Sequence, residues 1–252
     1  MSERILLKLG GSVITDKKTD CAVNYDLLSF IASAITRAAT GKGLVIIHGA
    51  GSCGHPEAKR YGLDNGAVAG GTDGIYVTHR AVSRLNDAVV EALREKGIPA
   101  VGVHPLHMAV ADNGRLVAFE YRHLEKMLIL GMVPVIHGDV VMDLSRGACI
   151  VSGDQLVRYL AVVLKINRVG LATDVPGVLD GGCVVPEISR KMVSNLQIGN
   201  SKHTDVTGGM RGKIDELLGL ADTGIGSDIF QALRIGDFLA GVDHGGTKVT
   251  RG

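Results

Sequence analysis

Short apolar runs alternate with segments of helical periodicity along most of the chain. The runs are rich in leucine and β-branched residues and lie at 5–9, 44–47, 100–103, 133–136 and 169–172, with less regular candidates near 229–233 and 247–250. Apolar residues recur every three or four positions in the stretches 27–38 and 82–93, and 154–165 and 213–222 are also predicted helices. This alternation predicts an α/β protein with a mainly parallel sheet covered by helices on both faces.

Glycine marks the ends of the predicted strands. The chain has 35 glycines among its 252 residues, about twice the usual share of ~7%. Ligands of parallel sheets bind in the crevice at the carboxyl ends of the strands, so a binding site is expected in these glycine loops. The sequence has no internal repeat and no convincing linker, which favours one continuous domain with two lobes, 1–252.

One glycine loop has the spacing of a dinucleotide-binding motif. The stretch HGAGSCGHP at 48–56 fits G-x-G-x-x-G at Gly49, Gly51 and Gly54. Such a site also needs a second strand that ends in an acidic residue about 20 positions further on. Asp73 is near that distance, but the glycine-rich stretch around it does not predict a buried strand. A dinucleotide-binding oxidoreductase therefore remains an alternative that gives the chain's loop lysines no role.

Three lysines accompany the glycine loops. Lys8 lies in the first predicted strand just before glycines 10–11, where bare backbone N–H groups beside a cation suit a phosphate. Lys17 follows after a short excursion and either reaches the same point or is a solvated surface lysine. Glycines 208–209 precede a predicted helix with Lys213 in its first turn, and helix N-termini favour anions. The spacing around Lys213 does not fit a P-loop.

Acidic residues stand in three of the loops, and two of these residues follow predicted strands. Asp154 stands in SGDQL, where it either caps the next helix or holds two lysines in place between phosphates. Asp139 comes just after a strand in HGD, and Asp174 follows another in TDVPGV, before a Pro-Gly turn. Strand ends that carry lysines, small residues and acids together indicate a site for phosphates.

Composition and charge argue against several classes of partner. The net charge is +1 without a block of like charges, so we expect neither a nucleic-acid nor a membrane partner. The four cysteines form no C-x-x-C pair, which argues against zinc and against a disulfide framework and favours a cytoplasmic protein. No apolar segment reaches the ~20 residues that span a bilayer, and the expectation is a soluble chain without a targeting segment.

Six motifs occur in the order seen in the amino acid kinase superfamily. They are KLGGSVITDK, HGAGSCGHP, VPVIHGDVV, SGDQL, TDVPGV and DVTGGMRGK, and the resemblance runs from residue 5 to about residue 250. Within the superfamily the chain resembles the isopentenyl phosphate kinases. The resemblance implies a three-layer α/β/α sandwich with a phosphate-acceptor lobe at 1–165 and a nucleotide lobe at 166–252. It also implies transfer of phosphate from ATP to isopentenyl phosphate, with Mg²⁺ accompanying the nucleotide, and a homodimer.

The resemblance also assigns roles to individual residues. Lys17 would stabilise the transferring phosphoryl group and Asp154 would orient the lysines. The residues implied to contact ATP are Lys8, Leu9, Gly10, Gly11, Ser12, Gly51, Asp174, Gly209 and Lys213. The residues implied to hold the acceptor phosphate are Ala50, His55 and Gly153, and those along its apolar tail are Gly74, Ile75, Thr78 and Val82.

His55 could also act as a general base or cap a helix. A phosphate nucleophile is already ionised at neutral pH, so His55 need not abstract a proton and is expected to hydrogen-bond the acceptor phosphate. It could instead cap a short helix begun by Pro56. Two positions depart from the family pattern: Cys53 stands where an aromatic residue is usual and His137 where tyrosine is frequent.

Other functions stay open at this stage. Within the superfamily the chain could phosphorylate fosfomycin, carbamate, an amino acid or UMP, although a histidine that grips phosphate favours phosphorylated or phosphonate acceptors. A non-catalytic nucleotide sensor is a further alternative, against which the retention of all three lysines argues.

Overall fold

The computed structural model describes residues 3–16, 21–39, 41–63, 71–193 and 209–252. Their strands are β1 (Arg4–Leu9), β2 (Gly43–His48), β3 (Ala100–Val103), β4 (Ala109–Asp112), β5 (Arg115–Phe119), β6 (Val133–His137), β7 (Asp139–Asp143), β8 (Gly147–Val151), β9 (Arg168–Thr173), β10 (Leu179–Asp180), β11 (Cys183–Val184), β12 (Glu187–Ile188), β13 (Ser227–Gln231) and β14 (Thr247–Val249). Their helices are α1 (Gly11–Ile14), α2 (Tyr25–Ala38), α3 (Gly51–Arg60), α4 (Gly71–Glu95), α5 (Pro105–Met108), α6 (Arg122–Ile129), α7 (Gly153–Val163), α8 (Arg190–Val193), α9 (Gly209–Ala221) and α10 (Ile235–Ala240), with a 3₁₀ turn at Ala232–Arg234.

Among the described residues, eight strands form the central sheet in the order β12-β14-β13-β9-β1-β2-β6-β3. All neighbouring pairs are parallel except β13 and β14. Leu9 at the end of β1 pairs with His48 on one side and Ala172 on the other, and His48 pairs with His137. The loops after four central strands therefore begin at the same level of the sheet, which is what brings distant motifs together.

Helices cover both faces of this sheet. Leu6 of β1 packs into a core on one face that includes residues of α7 and α9. Leu7, the next residue, packs into a second core with residues of α2, α4 and α10 on the opposite face. Successive side chains of a strand point to opposite faces, and both faces are buried here, so these strands are continuously apolar in sequence. The predicted three-layer sandwich with a mainly parallel sheet is confirmed.

A second sheet of four strands, in the order β5-β4-β7-β8, adds a feature that the apolar runs did not predict. Its strands are four or five residues long, and β5 leaves most of its side chains at least partly exposed. β7 and β8 form an antiparallel hairpin that leads from the end of β6 into α7. This hairpin returns the chain to the central sheet, where α7 starts beside the end of β1.

Two expectations about local structure were wrong. The helix assigned to Pro56 begins at Gly51, and Pro56 lies inside it. Cys21 and Cys53 form a disulfide although the cysteine spacing argued against one. The physical reason is that Thr15 and Val23 pair as an isolated antiparallel bridge, and Cys21, two residues before Val23, lies against the first turn of α3. Spacing motifs do not report contacts made by such distant segments.

Within the described residues, no helix is long and apolar enough to cross a membrane.

Candidate active site

A cavity of about 770 Å³ opens at the carboxyl ends of β1, β2, β6 and β9. Its walls come from the loops that follow these strands and from the first residues of α7 and α9. The predicted site residues that line it are Lys8, Gly10, Gly11, Ser12, Ala50, Gly51, His55, Thr78, Val82, Gly153, Asp154, Asp174, Gly209 and Lys213.

Three charged side chains form the centre of the cavity. Lys8 Nζ donates a hydrogen bond to Asp154 Oδ1, and Lys213 Nζ lies 3.3 Å from Oδ2 of the same carboxylate. Lys8 is 4% exposed, Asp154 7% and the Lys213 side chain 14%, so the ion triad is largely buried. The residues come from β1, α7 and α9, which are far apart in sequence. Two lysines around one carboxylate leave an excess positive charge for an anionic ligand.

Asp154 is not the N-cap of α7. That position belongs to Ser152, whose hydroxyl oxygen accepts a hydrogen bond from the backbone N–H of Gln155 at 3.2 Å. Serine and aspartate are comparable N-caps, and here the serine two residues earlier takes the position. The Asp154 carboxylate is thereby left to contact the two lysines.

The triad shifts the pKa values of its members. Burial lowers the pKa of Lys8 from 10.5 to about 8, although Asp154 pulls it upward. Burial alone would raise the pKa of Asp154, but the charges of Lys213 and Lys8 outweigh it and hold the pKa at about 2. At neutral pH the carboxylate is ionised and Lys8 keeps its proton, with little margin above that pH.

Close backbone packing explains the glycines of two loops. A Cβ on Gly11 would lie 2.4 Å from the backbone nitrogen of Gly51, and one on Gly49 would lie 2.8 Å from that of Gly11. Gly51 has φ +54° and a Cβ there would lie 2.3 Å from Thr15 Oγ1. The two loops therefore approach each other backbone to backbone, an arrangement that presents amide groups rather than side chains to the cavity.

The remaining part of the cavity is largely apolar. Ala58, Val82 and Ile150 line it together with His55 and Thr78. The Thr78 hydroxyl is buried and has no hydrogen-bond partner among the described residues. The cavity thus joins a cationic compartment, able to hold phosphates, to a compartment suited to an uncharged hydrocarbon group.

Comparison with known proteins identifies the family. The model of the amino acid kinase family matches residues 3–230. The chain belongs to the amino acid kinase family. It is 41% identical over 242 residues to the isopentenyl phosphate kinase of Haloferax volcanii, covering 96% of each chain. It is 39% identical to the isopentenyl phosphate kinase of Methanothermobacter thermautotrophicus, covering 98% of each.

The fold comparison agrees. An X-ray structure of an isopentenyl phosphate kinase superposes with a TM-score of 0.86 at 35% identity, covering 98% of this chain and all of the other. The chain is therefore a phosphotransferase with the amino acid kinase fold, and kinases of this family use ATP.

Not every residue implied by the family resemblance lies in the cavity. Leu9 is fully buried in the core below the sheet end. Gly74 does not line the cavity, because it packs against Tyr61, where a Cβ would lie 2.6 Å from that side chain. Ile75 packs in a small cluster with Tyr61 rather than along the cavity wall. Lys17 and Gly208 lie outside the described residues, so the role of Lys17 stays a prediction.

Sequence reasoning on this amino acid kinase missed a cluster of histidines behind the cavity. His79 Nδ1 donates a hydrogen bond to Asp139 Oδ2 at 2.9 Å, and Asp139 lines the cavity. His104 Nδ1 lies 2.9 Å from His137 Nε2, and His48 stacks on His137. The histidines come from separate elements without a shared spacing. Only the pairing of β2 with β6 could have indicated the approach of His48 and His137.

The pKa values of the clustered histidines shift in opposite directions. The hydrogen bond to Asp139 raises the pKa of His79 above 6.5. Burial lowers the pKa of His48 and His104, and burial together with neighbouring His48 places the pKa of His137 well below 6.5. Among the described residues, no group of histidine, cysteine or acidic side chains has an arrangement that could hold a metal ion.

Proposed function

We propose that the chain transfers the γ-phosphoryl group of ATP to isopentenyl phosphate, giving isopentenyl diphosphate and ADP. The observation that carries the proposal is the union, in one cavity, of the Lys8–Asp154–Lys213 triad with an apolar compartment. A short hydrocarbon phosphate fits that combination. An acceptor that carries a carboxylate at the end away from the transferred phosphate would bury that charge against Ala58, Val82 and Ile150. These apolar residues offer no cation to pair with it, so such an acceptor fits less well.

The chemistry asks for positioning and charge neutralisation. An oxygen of the acceptor phosphate attacks the γ-phosphorus of ATP, the bond to the bridging oxygen breaks, and ADP leaves with that electron pair. The acceptor phosphate is already ionised, so no proton has to be removed from it. Lys8 and Lys213 neutralise charge on the phosphates, and Asp154 holds both ammonium groups in place.

The two substrates are assigned to different sets of the residues that line the cavity. His55, Ala50 and Gly153 hold the acceptor phosphate, and Thr78 and Val82 line its tail. The residues assigned to ATP are Lys8, Gly10, Gly11, Ser12, Gly51, Asp174, Gly209 and Lys213. Lys17 is assigned to the transferring phosphoryl group. In this scheme 1–165 forms the acceptor lobe and 166–252 the nucleotide lobe of one kinase domain.

Mg²⁺ belongs to the proposal as a companion of the nucleotide. Mg²⁺ usually binds through substrate phosphates and one or two carboxylates rather than in a cage of protein ligands. Asp154 is committed to two lysines and Asp139 to His79, so we assign the ion and the phosphates to Asp174, the third carboxylate that lines the cavity. When bound, Mg²⁺ neutralises charge on the phosphate oxygens. A cytoplasmic homodimer completes the proposal.

The test is an ADP-release assay with isopentenyl phosphate, dimethylallyl phosphate and fosfomycin as separate acceptors. We expect turnover with isopentenyl phosphate and little with fosfomycin, which lacks the hydrocarbon tail. The absence of turnover with all three acceptors would contradict the proposed activity and favour a nucleotide sensor. Turnover of fosfomycin alone would favour a different kinase of this family.

His55→Ala tests the division of the cavity. Loss of the imidazole should raise the KM for isopentenyl phosphate by roughly tenfold, the value of one hydrogen bond to a charged group, while the KM for ATP stays unchanged. A rise in the ATP KM with an unchanged acceptor KM would show that this loop serves the nucleotide.

A further inference from the structure

The Cys21–Cys53 disulfide lies beside the site and has no role in the proposed reaction. The two cysteines are 32 residues apart, and Cys53 belongs to the loop whose residues line the cavity. Cys53 is 3% exposed and packs in the core that includes α2 and α4, whereas Cys21 is exposed. The other two cysteines, Cys149 and Cys183, are free thiols.

Cys53 lies inside the loop assigned to the acceptor. Its chain neighbours Ser52 and Gly54, and His55 after them, all line the cavity, while the Cys53 side chain is buried on the other side of the turn. A change at the Cys53 sulfur is therefore transmitted through one or two peptide units to groups that face the ligand.

The segment with Cys21 is also hydrogen-bonded to this loop. Asp16 N–H donates to the carbonyl of Ala22 at 2.8 Å, beside the bridge between Thr15 and Val23. Next to Asp16, Thr15 Oγ1 accepts a hydrogen bond from the backbone N–H of Ser52 at 3.0 Å and donates one to the carbonyl of Gly11. The disulfide is thus a covalent second link between two segments that already meet at the glycine loops.

We propose that Cys21 and Cys53 form a reversible thiol–disulfide site whose oxidised state holds the acceptor loop in its binding conformation. Reduction consumes two thiols of a dithiol reductant: one attacks the exposed Cys21 sulfur, Cys53 leaves as a thiolate, and the second thiol releases Cys21. The products are two cysteine thiols and the oxidised dithiol, with two electrons transferred. Disulfides of proteins in reducing compartments are usually transient or redox-sensing. A disulfide with one exposed cysteine, Cys21, fits that behaviour.

The partner reagent is therefore a dithiol, either a small molecule or a reductase with a C-x-x-C site. Cys21 is the sulfur open to attack, because Cys53 is enclosed by the core. Reduction removes the covalent link, and the segments are then joined by hydrogen bonds such as the one from Ser52 N–H to Thr15 Oγ1. The loop with Ser52 and His55 then has more conformational freedom and binds the acceptor phosphate less tightly.

The first test counts thiols. Protein prepared without reductant is unfolded and treated with iodoacetamide, before and after incubation with dithiothreitol, and the labelled cysteines are located by mass spectrometry. We expect label at Cys149 and Cys183 alone before reduction, and at Cys21 and Cys53 as well after it. Label at all four cysteines in protein oxidised with glutathione disulfide would overturn the proposal.

The second test measures the loop in both states. Hydrogen exchange of the amides in 51–58 should be faster in the reduced protein, and the KM for isopentenyl phosphate should rise roughly fivefold, at the lower end of usual coupling between sites, with little change in the ATP KM. Cys21→Ser, which leaves buried Cys53 in place, should behave as the reduced protein with or without dithiothreitol. Cys183→Ser removes a free exposed thiol and should keep the wild-type response.

The KM measurement rests on the proposed function, whereas thiol counting and hydrogen exchange do not. A redox-dependent exchange rate without turnover of isopentenyl phosphate would support the thiol–disulfide site and contradict the proposed acceptor. Equal exchange rates and equal acceptor KM values in the oxidised and reduced protein would overturn the thiol–disulfide site itself.

Discussion

Replacing Asp154 by Asn removes the negative charge that separates Lys8 from Lys213. The carboxylate accepts hydrogen bonds from both ammonium groups and is 7% exposed, so water does not replace it. The two lysines then repel each other, and the pKa of Lys8, already lowered to about 8 by burial, falls further. Lys8 loses its proton at neutral pH, and the site loses a cation that faces the phosphates.

Two magnitudes follow. Breaking a buried ion pair from one side usually costs about 3–5 kcal/mol, and release of the Lys8 proton brings the cost toward the lower end. For a chain of this size that is a decrease in Tm of roughly 6–12 °C, at about 2–4 °C per kcal/mol. Removal of a preorganised charge donor to the transition state should lower kcat by ~10² or more.

The pH profile of activity distinguishes loss of the Lys8 proton from a general loss of folded structure in the variant. Lys8 must be protonated to bind phosphate, so kcat/KM for ATP of the wild-type enzyme should fall as pH rises through about 8. In Asp154→Asn that fall should move to lower pH, because the Lys8 pKa is lower. The assay is steady-state ADP release between pH 6 and 9.5, with folding checked by circular dichroism at each pH.

Asp222→Asn is the matched control. Asp222 pairs with Arg190 far from the cavity, and both side chains are about half exposed, so the same substitution should change neither kcat nor the pH profile. An Asp154→Asn enzyme with a wild-type pH profile and kcat within about twofold would refute the role of the carboxylate in holding Lys8 protonated.

Two further predictions concern the walls of the cavity. Gly51→Ala places a Cβ on a left-handed backbone and against Thr15, whereas Gly62→Ala meets a positive φ but open space. Gly51→Ala should therefore lower Tm by several °C more than Gly62→Ala in thermal unfolding. Equal losses of Tm would contradict the packing argument. His79 has a pKa raised by Asp139, so its contribution to stability is complete below 6.5 and is lost as pH rises through its folded pKa. The Tm difference between wild type and His79→Gln should therefore be larger at pH 6 than at pH 8, and a constant difference would show that the pair does not titrate.

The sequence predicted most of the central sheet because its strands are buried on both faces. Runs such as 44–47 are apolar without interruption, and a parallel sheet between two helical layers is the usual structure that requires this. The four-stranded sheet escaped prediction for the opposite reason. Its strands are short and partly exposed, and β5 in particular has side chains on both faces that meet solvent. Pairing partners rather than side-chain patterns define such strands.

The charged triad was within reach of the sequence, and the contacts around it were not. Lys8 stands just before the glycines that follow the first apolar run, where parallel sheets bind ligands, and Asp154 follows Gly153 in the motif SGDQL, which already offered a carboxylate to hold two lysines. Pairs such as His79 with Asp139 or Cys21 with Cys53 join segments that no periodicity relates. The N-cap alternative for Asp154 was wrong, and the sequence could not exclude it because Ser152 and Asp154 have similar preferences for that position.

The carboxylate of Asp154 keeps its two neighbouring lysines protonated, an effect that a count of charges alone does not show. It cancels one of the two positive charges that would attract a phosphate, which at first sight weakens the site. Without it, however, burial and mutual repulsion would drive a proton from Lys8, and the cavity would hold no more positive charge than with it. Asp154 preserves two ammonium groups as hydrogen-bond donors in the empty enzyme, ready for phosphate oxygens that can then share the role of the carboxylate. The triad therefore keeps the lysines charged before the nucleotide arrives.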